Sequence, residues 1–209
     1  MAGTGAAGQD EEMTTDPQAW RPGGRPPERF VLGAAVLRRW RDGDAPAVDR
    51  AVTESFTELH AWMAWATAPS APGERADFVR GARRDWDACT AFSYGIFAPD
   101  GGAAPRVLGG CALHARGGPG VLEIGYWVHS AHTGRGLATG AAGALTRAGL
   151  ALPGVRRLEI HCDVGNAASA AVARRLGYTL AGCFDHPPVA HAETGRRMRF
   201  VLAGGPRRS

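Results

Sequence analysis

The sequence predicts an α/β fold: one domain with a mixed, mostly antiparallel central sheet and flanking helices. Apolar residues alternate at Phe92, Tyr94 and Ile96, at Leu122, Ile124, Tyr126 and Val128, and at Leu158, Ile160 and Cys162, the period of strands with one buried face. Between these runs lie stripes of helical period, the clearest being Leu137, Ala141, Ala144, Leu145, Ala148 and Leu152. A chain of 209 residues with 44% hydrophobic content suffices for one sizeable core and hardly for two.

The elements follow in order. Residues 1–28 are rich in Gly, Ala, Pro and charge, bury little apolar surface and read as a flexible tail. The domain is expected over 29–203, with a short C-terminal tail at 204–209. Phe30 to Trp40 reads as a first strand. Asp44 reads as the N-cap of a helix with the stripe Val48, Val52, Phe56, Leu59 and Met63. Pro69 to Gly73 breaks that run, and a second helix to about Trp86 follows with Phe78, Val79 and Ala82 inward. The strand at Phe92–Ala98 turns at Pro99-Asp-Gly-Gly into one at Val107–His114, and a turn at Ala115–Gly120 leads to Val121. Arg156–Cys162 is a strand, and a helix from about Ala167 to Leu176 stops at Gly177. Tyr178–Phe184 and Arg196–Leu202 close the chain as an antiparallel pair around a loop with His186, Pro187, Pro188 and His191. Asp163 caps or turns the chain before Asn166.

The strand at Val121–Val128, the turn Thr133-Gly134-Arg135-Gly136 and the helix after it form the centre of this plan. Strand, glycine turn and helix N-terminus in that order offer free backbone N–H groups and the positive end of a helix dipole, an anion site. A phosphate-binding P-loop is excluded because no Lys-Ser or Lys-Thr follows the glycines; the chain contains no lysine at all. A dinucleotide fingerprint fails because Thr139 occupies the third glycine position, although Glu159 stands at about the distance of its ribose-binding acid.

The turn resembles the acetyl-CoA signature of the GNAT superfamily of N-acetyltransferases, Gln/Arg-x-x-Gly-x-Gly/Ala. Gly136 and Ala138 take the last two positions, while Thr133 departs at the first and removes a polar contact. A second motif, Asn166-Ala-Ala-Ser169 continuing to Gly177-Tyr178, resembles the family's Asn-x-x-Ser helix after its fifth strand. There Asn166 caps the helix and Ser169 sits one turn on at the same edge. Leu59-His-Ala-Trp-Met-Ala-Trp-Ala66 resembles the RimJ/RimL-type branch, whose members acetylate protein N-terminal amines or small-molecule amines. That branch often has Thr-Glu-Ala where this chain has Thr139-Gly-Ala141. The likeness spans about Phe30 to Leu202.

The resemblance implies acetyl-CoA as co-substrate and a primary amine as acceptor. Its pyrophosphate would lie on Thr133, Gly134, Arg135, Gly136, Leu137, Ala138 and Thr139, with Asn166 beside the pantetheine arm. The family splays its fourth and fifth strands at a bulge, so the main chain of Trp127, Val128 and His129 would pair with that arm. His129 and His132 flank the phosphate loop. Glu123 is the candidate base, acting through water, and Ser169 the candidate proton donor to the thiolate. Glu123 also has a structural reading, as a tie between strand and helix. Tyr178 reads as core. His60, Trp62 and Trp65 would line the acceptor cleft. Acyl transfer to an amine needs a neutral amine and a stabilised oxyanion, and an α-amine of ordinary pKa about 8 is partly neutral at pH 7. Two alternatives stay open: a bulkier donor such as succinyl-CoA, and a non-catalytic acyl-CoA-binding regulatory module. A homodimer is also left open.

Composition sets the remaining bounds. The formal charge is +4 and the pI about 9.2, yet no basic run or aromatic-interleaved basic face points to nucleic acid. No apolar run approaches the ~20 residues that cross a bilayer. The first residues, with Asp10, Glu11 and Glu12, are unlike a signal peptide. Cys89, Cys111, Cys162 and Cys183 lie far apart with no Cys-x-x-Cys, as reduced, buried cysteines of a cytoplasmic protein would. His186 and His191 lack partners at metal spacing, so no metal is expected.

Overall fold

A computed structural model describes residues 20–99 and 105–204. Most of the predicted N-terminal tail, the tip of the turn after Pro99 and all but residue 204 of the C-terminal tail lie outside the described residues. Eight strands among the described residues form one sheet: β1 (Arg29–Val31), β2 (Val36–Arg39), β3 (Ala91–Phe97), β4 (Val107–His114), β5 (Val121–Val128), β6 (Arg157–Asp163), β7 (Thr179–Asp185) and β8 (Arg196–Ala203). Their order is β1-β2-β3-β4-β5-β6-β8-β7, antiparallel throughout except for β5 and β6. Among the described residues there are five α-helices: α1 (Ala45–Glu54), α2 (Phe56–Trp62), α3 (Glu74–Asp87), α4 (Leu137–Ala151) and α5 (Ala167–Arg175).

Strand alternation sorts the core into two layers. Phe92, Tyr94, Ile96, Leu113, Leu122, Ile124, Leu158, Ile160 and Phe200 form one, covered by α4 and α5 through Ala141, Leu145, Ala170 and Ala173. Trp40, Phe97, Val107 and Trp127 face the other way, where Val48 and Val52 of α1 and Val79 and Ala82 of α3 cover part of the sheet. The remainder of that second face stays open.

Five expectations change. The first strand is a hairpin, β1 and β2, because Leu32 N–H bonds back to Ala35 C=O across a turn. The first helix breaks at Ser55 into α1 and α2, and Ser55 is fully buried with its hydroxyl turned to another partner. Asp44 precedes α1 without a side-chain cap bond; its carboxylate instead takes both terminal nitrogens of Arg38 at 2.7 and 2.8 Å and the Arg41 N–H at 2.8 Å. Phe78 is more than a third exposed, while Trp86 carries the inner face of α3. Of the cysteines, Cys111 and Cys162 are buried and Cys183 is exposed, and all four are free thiols.

The feature that positions the site is a short ladder. β5 and β6 pair only at Val121–Arg157, Leu122–Leu158 and Glu123–Glu159, then diverge. Each keeps its outer partner: β4 pairs with β5 through Gly109–Val128, and β8 with β6 through Asp163–Arg197. The gap therefore opens between two intact half-sheets. The β4–β5 register is unbroken, and the register shifts among the described strands fall at Ile96/Phe97 and Leu180/Gly182. The splay needs no bulge in β5.

Candidate active site

A cavity of about 850 Å³ opens on the uncovered face and runs into the gap between β5 and β6. Its floor is shallow because Ser93, Gly110, Ala112 and Gly125 present small side chains or none. Gly110 must be bare: a Cβ there would stand 2.6 Å from Nε1 of Trp127, whose indole lies across it. Trp62, Met63 and Trp65, at and beyond the end of α2, form one wall. Trp65, 43% exposed, meets Trp127 edge-on at 6.1 Å, and the Arg75 guanidinium sits 5.4 Å from the Trp65 ring. The loop between β7 and β8 forms the roof. Asp163 pins it by accepting the Thr194 N–H at 2.8 Å, and also accepts the Gly165 N–H at 2.7 Å, which turns the chain into α5. Glu193 in the same loop takes the Val189 and Ala190 N–H groups and Arg197.

The gap carries unpaired main chain. His129 N–H donates to Leu108 C=O directly opposite. Antiparallel pairing alternates, so odd residues of β5 turn their polar groups to β4 and even ones turn away. The main chain of Tyr126 and Val128 therefore faces the gap, where β6 has moved out of reach. Of the three residues expected to pair with a ligand there, only Val128 has this orientation; those of Trp127 and His129 are spent on β4.

At the far end of β5 the chain makes a short 3-10 turn, Ser130–His132, and then the glycine loop. Gly134 and Gly136 have φ of 73° and 76°, a region open to glycine at little cost, with nothing near a hypothetical Cβ. This left-handed entry brings the loop onto the α4 axis. No described acceptor reaches the N–H groups of residues 134–139, so a row of donors stands at the start of a 15-residue helix. Thr133 turns its hydroxyl back to Ser130 C=O, and Arg135 reaches Ala131 C=O at 3.2 Å. The loop is tied to the α1–α2 junction. His129 Nδ1 accepts the Ala131 N–H, His129 Nε2 meets Glu54 Oε2 at 2.9 Å, and Ser55 Oγ accepts the Ser130 N–H at 3.0 Å. The His129 ring is thus structural, and His132 leans on it with centroids 5.2 Å apart.

Asn166 caps α5 by accepting the Ser169 N–H at 3.0 Å. This leaves Ser169 Oγ to meet the Tyr126 hydroxyl at 2.9 Å across the gap. Burial pushes the Tyr126 phenol up to about 12, so it stays protonated at neutral pH. Tyr178 is buried and bonded to Thr146, a core residue.

Glu123 lines the cavity floor, but not alone. Arg116 grips both its oxygens, at 2.8 and 2.6 Å. Burial pushes the carboxyl up; the hydrogen bonds and charge of Arg116, with smaller pulls from His161 and His114, outweigh it and hold it below the usual range. Burial and Arg116 together push neighbouring His114 down to about 4, so it is neutral at pH 7. Beside Glu123 stands His161, whose Nδ1 is 3.9 Å from Glu123 Oε2 and whose Nε2 is 2.8 Å from Glu159 Oε2. Glu159 is 3% exposed and takes Arg157 Nε on its other oxygen.

The cavity thus gathers Glu123, Trp127, Asn166, Ser169, Trp62 and Trp65. It does not gather His60, whose Nδ1 bonds Ala66 C=O and whose ring is stacked between Phe56 and His191. That stack fastens the roof loop to α2. His161 and its pairing with Glu159 escaped sequence reading, yet the signal was there: β6 alternation sets Glu159, His161 and Asp163 on one face.

Residues 35–179, well over half of the chain, match the acetyltransferase (GNAT) domain family. The chain belongs to the GNAT family. It is 41% identical over 61 residues to the ribosomal-protein-serine acetyltransferase of Escherichia coli K12, a stretch that spans 29% of this chain and only about a third (34%) of that relative. Among solved structures, RimL, a ribosomal L7/L12 α-N-protein acetyltransferase in complex with coenzyme A, superposes with a TM-score of 0.72. It is 22% identical, covering 84% of this chain and 98% of RimL. RimJ of Mycobacterium smegmatis, in complex with a CoA disulfide, superposes with a TM-score of 0.72 at 21% identity, covering 88% of this chain and 90% of RimJ. At these identities the likeness is one of fold. This GNAT chain, with one mixed eight-stranded sheet and five α-helices among its described residues, shares their fold.

Proposed function

We propose that this GNAT protein transfers the acetyl group of acetyl-CoA to a primary amine, foremost the α-amine of a protein N-terminus. The observation that carries the proposal is the gap between β5 and β6, lined by unpaired main chain and ending at a row of free amides. These residues fit the co-substrate. The N–H groups of residues 134–139 would hold the pyrophosphate at the positive end of α4. Tyr126 and Val128 would pair with the pantetheine arm, and Asn166 and Ser169 would lie along it. Bound there, acetyl-CoA supplies an acyl carbon activated by its thiol leaving group. Tyr126 and Ser169, sharing one hydrogen bond, give this chain a donor for the departing sulfur. Trp62 and Trp65 form the acceptor wall. The match to a ribosomal-protein-serine acetyltransferase and the protein substrate of RimL favour a protein terminus over a small amine.

A thiol-release assay tests this. Acetyl-CoA with a hexapeptide bearing a free N-terminal serine should release CoA, and the same peptide with a blocked terminus should not. Equal release from both sinks the proposal.

A further inference from the structure

The base nominated by sequence, Glu123, is poorly suited to the task, and the residue beside it is better placed. An α-ammonium of ordinary pKa about 8 gives its proton to an ordinary imidazole, about 6.5, against roughly 30-fold odds. To an ordinary carboxylate, about 4.3, the odds are several thousand to one. The Arg116 grip makes Glu123 a weaker base still. His161 lines the same cavity. Glu159 accepts from its Nε2 at 2.8 Å and is itself fixed by Arg157. A carboxylate bonded to Nε2 keeps the proton there and leaves the Nδ1 lone pair free.

Nδ1 and Glu123 Oε2 are 3.9 Å apart. A nitrogen about 2.8 Å from both completes a triangle with an apex near 90°, within reach of two hydrogens of one ammonium group. We infer that the acceptor's ammonium docks in this fork, that Glu123 holds its charge, and that His161 is the catalytic base that takes its proton. The inference rests on reading the cavity as an amine site and deepens it by assigning the proton's route.

The balance is simple. The ammonium gives one proton to His161 Nδ1. The freed lone pair forms the N–C bond as the C–S bond breaks. The nitrogen then sheds a second proton, and one proton returns to the sulfur, so one reaches solvent for each acetyl moved. Glu159 is a positioning residue. The charged and titratable neighbours that set the imidazole's behaviour are Glu159 and Arg157 on β6, Glu123 on β5, His114 and Arg116 at the end of β4, and Arg199 opposite on β8. Phe184 of β7 packs on the ring at 5.9 Å.

The test compares wild type with His161→Gln, using acetyl-CoA and the serine hexapeptide. The variant should lose kcat roughly 100-fold, with the calorimetric Kd for acetyl-CoA unchanged. Added imidazole should restore part of the rate to His161→Ala. In 15N spectra of the unliganded wild type at pH 8, His161 should carry its proton on Nε2. Unchanged turnover by His161→Gln, or a proton on Nδ1, overturns the inference while leaving acetyl transfer standing. No thiol release by the wild type with any amine overturns both.

Discussion

Nε2 of His129 lies 2.9 Å from Oε2 of Glu54, and so the residue that leads into the glycine loop is fastened to the last residue of α1. The next residues repeat the link, through Ser130 N–H and the buried Ser55 hydroxyl. Because α2 starts at Phe56 and carries Trp62, one junction sets both the proposed phosphate loop and the acceptor wall.

Ser55→Ala should weaken acetyl-CoA binding. It leaves the Ser130 N–H without its acceptor, a loss of about 1–2 kcal/mol, which is roughly 5- to 30-fold in Kd if the loop shifts. Calorimetry checks the affinity, and faster amide exchange at 130–136 should accompany it.

Gly136→Ala should cost stability and binding together. The obstacle is the positive φ rather than a clash, since nothing lies within 4 Å of the added methyl. A strained left-handed alanine costs about 1–2 kcal/mol, a fall of roughly 2–8 °C in Tm for a chain of this size. If the residue relaxes instead, the amides turn away and the acetyl-CoA Kd rises. An unchanged Tm and an unchanged Kd together would refute this reading of the loop.

Ser169→Ala removes the hydroxyl bonded to Tyr126 but keeps the N–H that Asn166 caps, so α5 should stay intact. The expected result is a kcat lower by about 10-fold or more with little change in Tm. Tyr126→Phe should do less. A kcat unaffected by either change would remove both from the proton path.

Glu123 gives a pH signature. Its folded pKa is depressed, so its contribution to stability is present above the ordinary carboxylate value and is lost as pH falls through the lower, folded one. Wild type should exceed Glu123→Gln in stability at pH 7 by about 1–3 kcal/mol, and the difference should shrink in acid. Denaturant melts at pH 7 and below pH 4 measure it. A constant difference would mean that the Arg116 pair is not its source.

Trp65→Ala should raise the KM for a peptide acceptor and leave the acetyl-CoA Kd alone, because Trp65 lines the cavity proposed for the acceptor and residues 134–139 of the glycine loop do not. Steady-state kinetics with each substrate varied in turn separate the two.

Local chemistry that acts within one element was readable in advance. Period-2 alternation marked the central strands, glycines marked the loop before α4, and Asn166 marked the α5 N-terminus; each depends on neighbours a few residues away. The break at Ser55 was not readable, because the hydroxyl that stabilises it binds a residue 75 positions later. Asp44 likewise looked like a cap and became an anchor for Arg38 on β2.

The sequence by itself determined the fold class, the glycine loop and the chain's kinship, since these reside in spacings and turn chemistry along the chain. Only the tertiary structure decided which side chains meet in the gap. Arg116 met Glu123 and holds its carboxyl below the usual range, and Glu159 met His161 at Nε2. The reason is that a titratable group's role depends on partners brought by other strands, whose electrostatic and hydrogen-bonding terms outweigh its own residue type.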